Sequence, residues 1–364
     1  MAITETYVDP SIAGDSGAGT TGDPYGDVQY ALDTITRNAT DGDRINVKAG
    51  TDEILGAALT LATYGTPSVS APLIFQGYTT SQGDGGIGGI DGNSTYSMIT
   101  PTSLDYVGFI DMHLHNSGTS VDIVTLDNGC FVVNCEIDGG NQGANLDNSL
   151  IANCYVHNCD NTGIDCNGMV LNNYLANGVS DFSIAIRVNA NGSVIGNIIS
   201  VDGSTKGIVT NNDDTKILNN SIYSNAGTGT GIEIQSSGDR AMIANNIVEG
   251  FSSVGGVGIS IASKSLFCGY NAFYNNTTDF SKSGELYIDE TANDQSLGAS
   301  AFANAGTGDF TVGTSVKALA WLTANYPGLS VRSYTDMGAL QREEAGGGGG
   351  GLLNNPGLTG GIRG

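Results

Sequence analysis

The chain has only three histidines, His113, His115 and His157, and all three sit in short alternating segments beside acids and tyrosines. His113 and His115 are two residues apart, as are Glu136 and Asp138, and as are Tyr155 and His157. A spacing of two puts both members of a pair on one side of an extended strand. Imidazole titrates near neutrality and ligates borderline metals, so His115, Asp138 and His157 are candidates for acid–base work or for holding a metal. His113, Glu136, Tyr155 and Tyr174 are candidates for holding a ligand, the tyrosines by stacking on a sugar ring. The same residue types also populate an ordinary outward sheet face or an interface between subunits.

Those segments act together only if the chain stacks them, and a repeat does so. Two or three apolar residues, a polar pair that is often Asn-Asn, and an alternating aliphatic recur. The pattern runs from Phe109-Ile110-Asp111-Met112-His113-Leu114 through Phe131–Ile137, Leu150–Val156, Met169–Leu175, Val194–Ile199, Ile217–Ile222, Ile243–Val248 and Cys268–Phe273. One column of it, Met112, Cys135, Cys154, Asn173, Asn197, Asn220, Asn246 and Asn271, advances in steps of 19 to 26 residues. Periods of that size mean stacked repeats. Leucine-rich repeats have similar lengths, but their leucine spacing is missing. Variable steps and an asparagine column favour an all-β fold, a parallel β-helix.

Two positions after that column stand Leu114, Ile137, Val156, Leu175, Ile199, Ile222, Val248 and Phe273. This uniformly apolar column must face the interior, and the asparagines share its side. Stacked amides can bond along the ladder, which removes the cost of burying them. Met112, Cys135 and Cys154 replace the amides in the early coils, and the six cysteines, lacking disulfide or zinc spacing, are expected as free thiols. A second strand per coil opens with Gly163-Ile164, Gly207-Ile208, Gly231-Ile232 and Gly258-Ile259, with Ser183-Ile184-Ala185-Ile186 in the same place. Parallel crossovers of this kind are right-handed almost without exception. Coils stacked ~4.8 Å apart bring the outward histidines, Glu136 and Asp138 onto one face.

Glycine is abundant, at 55 residues, proline is rare, at 7, and the formal net charge is −24. Such a surface repels nucleic acid and anionic membranes and admits a divalent cation, while no organic cofactor is indicated. Met1-Ala2-Ile3-Thr4-Glu5 lacks the basic and apolar regions of a signal peptide, and no apolar stretch is long enough to span a bilayer. Synthesis in a cytoplasm is the expectation.

The ends differ from the repeat. Residues 1–44 form an N-terminal segment in which Tyr25 to Asn38 reads as a capping helix with Val28, Ala31, Leu32 and Ile35 on one stripe. The β-helix is expected over 45–341, including a short helix at 316–325 and a last strand at Met337-Gly338-Ala339-Leu340. Beyond it, six glycines (346–351) tether a tail over 342–364. The tail's Leu352, Leu353, Pro356, Leu358, Ile362 and Arg363 read as a docking peptide, since a purely solvating tail has no need of them.

Tyr7-Val8-Asp9-Pro10, the Tyr25 helix and Gly42-Asp43-Arg44-Ile45-Asn46-Val47-Lys48-Ala49-Gly50-Thr51 resemble the opening of right-handed parallel β-helix proteins of the pectate-lyase-like superfamily. Asp336-Met337-Gly338-Ala339-Leu340-Gln341 is similar to their closing strand. The resemblance implies the fold over most of the chain and leaves activity open, because the superfamily includes lyases, hydrolases, epimerases, phage tailspikes and non-catalytic virion proteins. The hydrolases' Gly-His-Gly and Arg-x-Lys segments are absent. The lyases' basic residue has no evident counterpart, because Arg187, Lys206, Lys216, Arg240 and Lys264 are not spaced to meet an acidic cluster. Asp213-Asp214 reads as a turn. The resemblance is to the non-catalytic virion and tailspike-type members, and it implies a homo-oligomer, commonly a trimer, with other virion proteins as partners. The leading expectation is a capsid decoration, head-fibre or tail protein of a phage. A polysaccharide depolymerase or lyase, and a carbohydrate-binding adhesion module, are the alternatives.

Overall fold

The first residue of each asparagine pair turns the chain, and the second faces inward. In the computed structural model, which describes residues 3–100, 104–177, 182–189, 191–236 and 240–312, Asn134, Asn153, Asn172, Asn219 and Asn245 have φ between 53° and 59°. Asparagine is among the few non-glycine residues that adopt this left-handed region readily. Gly196 takes the same place with φ 70°. The corner divides what reads as one strand into two, so Phe131–Val133 and Glu136–Asp138 are separate. With Gln142–Leu146 this coil has three strands rather than the two expected from periodicity. A left-handed residue leaves no gap in the apolar pattern, so the corner is invisible to it.

The described residues fall into two compact units, one up to Gly168 and one beginning at Met169. Each is a parallel solenoid. In the first, Val132 pairs with Ile151, Ile137 with Val156 and Ala144 with Ile164. In the second, Val194 pairs with Ile217, Ile199 with Ile222 and Ile208 with Ile232. These aliphatics are fully buried. The glycine of the Gly-Ile strands makes room for the opposite wall: a Cβ at Gly231 would collide with Val248 Cγ1 and the Gly258 carbonyl.

The asparagine column forms a buried hydrogen-bonded ladder within the second unit. Asn173 Nδ2 donates to Asn197 Oδ1 at 3.0 Å, Asn197 Nδ2 to Asn220 Oδ1 at 3.0 Å, Asn220 Nδ2 to Asn246 Oδ1 at 3.0 Å and Asn246 Nδ2 to Asn271 Oδ1 at 3.1 Å. Each Oδ1 also accepts the backbone N–H of the preceding rung. Asp294 ends the ladder by accepting from Asn271. In the first unit Cys135 and Cys154 occupy the column as buried free thiols, and all six cysteines are free and buried. Burial pushes the Cys135, Cys159 and Cys166 thiols up, the last to about 12, which makes them poor nucleophiles at neutral pH.

At the start of the chain, Thr4–Val8 pairs parallel with Asp43–Lys48, so the N-terminal segment supplies a rung of the sheet. The helix is shorter than expected, Val28–Thr34. Asp27 caps it by accepting from the Tyr30 amide at 2.6 Å. The run Thr34-Ile35-Thr36 of β-branched residues ends it, with Ile35 already extended. Val28, Ala31 and Leu32 are buried as expected, while Ile35 is half-exposed. Gln29 bonds both backbone groups of Thr60, holding the helix to the neighbouring strand.

The last described residues leave the parallel pattern: Phe302–Asn304 pairs antiparallel with Asp309–Val312. This hairpin lays Phe302 and Phe310 against Ile198, Ile247, Ala272, Tyr174 and Tyr223. Glu249 holds it, accepting from Ser300 Oγ at 2.8 Å and the Ala301 amide at 3.0 Å. The expected helix at 316–325, the strand at 337–340 and the tail lie outside the described residues. Among the described residues no helix is long and apolar enough to cross a membrane.

Candidate functional site

The outward face of the first unit is set by an inward ladder. Ile90, Leu114, Ile137 and Val156 pair in succession and are fully buried. Their neighbours on either side therefore face out. One flanking column runs Gly89, His113, Glu136, Tyr155, and the other runs Asp91, His115, Asp138, His157. Inward and outward columns stay in register through parallel sheets with one strand per coil. The chain is a parallel β-helix.

Within the first unit this β-helix brings together six of the seven outward residues singled out by spacing. The seventh, Tyr174, belongs to the second unit, where its ring meets Phe310 edge-on at 6.1 Å. The triad His115, Asp138 and His157 shares one column, but hydrogen bonding divides it between two groups.

In the first group, His157 Nε2 lies 3.0 Å from Glu136 Oε1. Asn158 Nδ2 reaches His157 Nδ1 at 2.8 Å and Asp138 Oδ1 at 2.7 Å. With Nδ1 accepting from the Asn158 amide, Nε2 carries the ring proton and donates its hydrogen bond to Glu136. The His157 hydrogen bond holds the Glu136 carboxyl below its ordinary range, against the opposing effect of burial. The Tyr155 ring stacks on His157, with centroids 4.2 Å apart and planes 20° apart, and is 38% exposed.

In the second group, His115 Nε2 lies 3.0 Å from Asp52 Oδ2. The His113 ring stacks on His115, with centroids 4.1 Å apart and planes 9° apart. His113 Nε2 is buried without a hydrogen-bond partner among the described residues. Burial, and then His115, push the His113 imidazole below its ordinary range. One ligating atom from each of Asp52, His113 and His115 lies within 4.8 Å of the others. The donor set, two imidazoles and a carboxylate, fits a transition metal.

Asp52 was not among the residues picked out from the sequence. It directly precedes Glu53, which pairs with Ile90, and so it extends the outward column beside Gly89. Gly89 admits it, because any Cβ there would collide with Asp52 Oδ1. The signal was Asp52-Glu53-Ile54 followed by Gly88-Gly89-Ile90, but a charged residue in the inward column hid it. Elsewhere, Arg240 takes the Asp214 carboxylate with two bonds of 2.8 and 2.7 Å, so this turn is ion-paired.

No family model matches the sequence, and no curated protein matches it. Among solved structures, pectate lyase Pel9A aligns with 94% of this chain and 98% of its own, at a TM-score of 0.47 and 11% identity. A GH136 lacto-N-biosidase from Eubacterium ramulus aligns with 78% of this chain and 68% of its own, at 0.43 and 11%. Full-length tailspike protein 2 of Escherichia coli O157:H7 bacteriophage CAB120 aligns with 85% of this chain and 40% of its own, at 0.36 and 12%. Likeness at these levels transfers neither a residue role nor an activity to this β-helix.

Proposed function

We propose that this β-helix is a structural component of a phage particle, a capsid decoration, head-fibre or tail protein. In this reading it is made in the host cytoplasm, assembles as a homotrimer and is held to other virion proteins by its C-terminal tail. The observation that carries the reading is the mutual pairing on the histidine face. A general acid or base must present its proton or lone pair to substrate. His157 instead has Glu136 on one nitrogen and Asn158 on the other, and His115 is turned to Asp52. Paired outward groups suit a durable surface. The net charge of −24 adds to this by keeping free chains apart. Mass spectrometry of purified particles from the lysed source is expected to find the chain in multiples of three copies. Its absence from intact particles overturns the proposal.

A second reading rests on Tyr155, whose stacked and part-exposed ring offers a sugar a flat apolar surface. If the β-helix binds glycan there, Tyr155→Ala abolishes retention on host-surface polysaccharide in affinity electrophoresis. Tyr174→Ala leaves it, because that ring is packed on Phe310. Equal retention of the wild type and the Tyr155→Ala variant excludes this reading.

A further inference from the structure

His113 presents a problem that the rest of its face does not share. Its Nε2 is buried and has no partner among the described residues. A polar nitrogen stripped of water and left unpaired is costly, and native proteins rarely leave one so. The nearest acidic groups are drawn to other partners. Glu136, next in the column, is engaged with His157. Asp91 accepts from Asn93 and Asn116, each at 2.7 Å. What lies beside His113 is His115 and, across Gly89, the carboxylate of Asp52.

We propose that Asp52, His113 and His115 bind a transition-metal dication of the zinc class. The two imidazoles come from alternate positions of the strand Met112–His115, which puts both on one side of the backbone. The carboxylate comes from the Glu53 coil and reaches over the Gly89 coil through the space that glycine leaves. Two nitrogens and one oxygen select zinc, copper, nickel or iron over calcium and magnesium, which take oxygen alone. Three protein ligands leave a coordination position open to water or to an incoming group. The rings are stacked nearly parallel, so their in-plane lone pairs do not converge; binding therefore turns one ring about its Cβ–Cγ bond. The ion would tie the Asp52 and His113 coils together across the Gly89 coil, and it would provide a partner for His113 Nε2.

The test uses the full chain, stripped with chelator, and Zn²⁺ alone as the probe. Equilibrium dialysis with elemental analysis is expected to find one zinc per chain. Zinc is also expected to raise the unfolding temperature. His113→Ala and Asp52→Asn should each weaken binding by about tenfold or more, since even outer partners of metal ligands are worth that much, and should remove the thermal shift. His157→Gln, in the other histidine group, should bind as the wild type does. Circular dichroism of the zinc-free variants checks that they fold, and His113→Asn serves if the alanine variant does not. Cobalt in place of zinc should give visible absorption in the wild type that is lost in His113→Asn. No bound zinc in the wild type overturns the proposal. So does equal zinc binding by wild type, His113→Asn and Asp52→Asn, which would place the ion elsewhere, and so does loss of binding in His157→Gln.

Discussion

Replacing Asn220 by alanine is expected to destabilise the second unit by about 3–5 kcal/mol. Asn220 is fully buried in the middle of the ladder. Its Oδ1 accepts from the Asn197 backbone N–H and Nδ2, both at 3.0 Å. Its Nδ2 donates to the Val194 carbonyl and Asn246 Oδ1, both at 3.0 Å. Alanine leaves the buried Asn197 amide without its acceptor and takes a donor from the Val194 carbonyl, and an unpaired buried group costs about 1–3 kcal/mol before the lost packing is added. The residue before it behaves oppositely. Asn219 holds φ at 56°, so Asn219→Gly should stay within about 0.5 kcal/mol of wild type, while Asn219→Ala should lose about 1–2 kcal/mol. Stacked repeats need not unfold in one step, so native-state hydrogen exchange of the rungs around residue 220 is the measurement. Equal protection in Asn220→Ala and Asn219→Gly would contradict the division of roles within the pair.

The second large effect lies at Glu53, a carboxyl in the inward column of the first unit, 7% exposed. Burial, and then the Asp27 charge, push it up to about 7 from 4.5. A folded-state pKa raised above the unfolded value means that the folded chain binds the proton more tightly. Its contribution to stability is therefore complete below about 4.5 and is lost as pH rises through about 7. The difference corresponds to about 3 kcal/mol between the two limits. Asp294 at the end of the asparagine ladder, pushed up to about 6 by burial, acts in the same direction. Protonated Glu53 can accept from the Val28 amide through one oxygen and donate to Asp27 through the other, and a glutamine reproduces both. Glu53→Gln is expected to match wild type near pH 4.5 and to exceed it by about 3 kcal/mol at pH 8.5. Denaturant unfolding across that range measures it. An unchanged pH profile in Glu53→Gln would mean that Glu53 is ionised in the folded chain without penalty.

Much of this was legible from spacing alone, for a physical reason. Period-two alternation separates inward Leu114, Ile137 and Val156 from outward His113, Glu136 and Tyr155 whatever the turns do. The asparagine column was equally readable, because a polar residue recurring beside an apolar column must satisfy itself along the stack. The left-handed corner at Asn134 or Asn219 was not readable. Both asparagines of a pair look alike in sequence, and only the backbone tells the turning residue from the ladder residue. Asp52 was missed because its coil puts Glu53 where the pattern expects an aliphatic, and because the long insertion between Ile54 and Gly88 hides the period. The hairpin that brings Phe310 onto Tyr174 and Tyr223 has no repeat to announce it.

The most direct test of the proposed role compares the full chain with one ending at Glu344, each incubated with purified particles or capsid shells from the source and sedimented. The full chain is expected to pellet with the particles and the shortened one to stay in the supernatant, both folded by circular dichroism. Equal pelleting of both, or of neither, would contradict a β-helix anchored to a virion through Leu352, Leu353, Leu358 and Ile362.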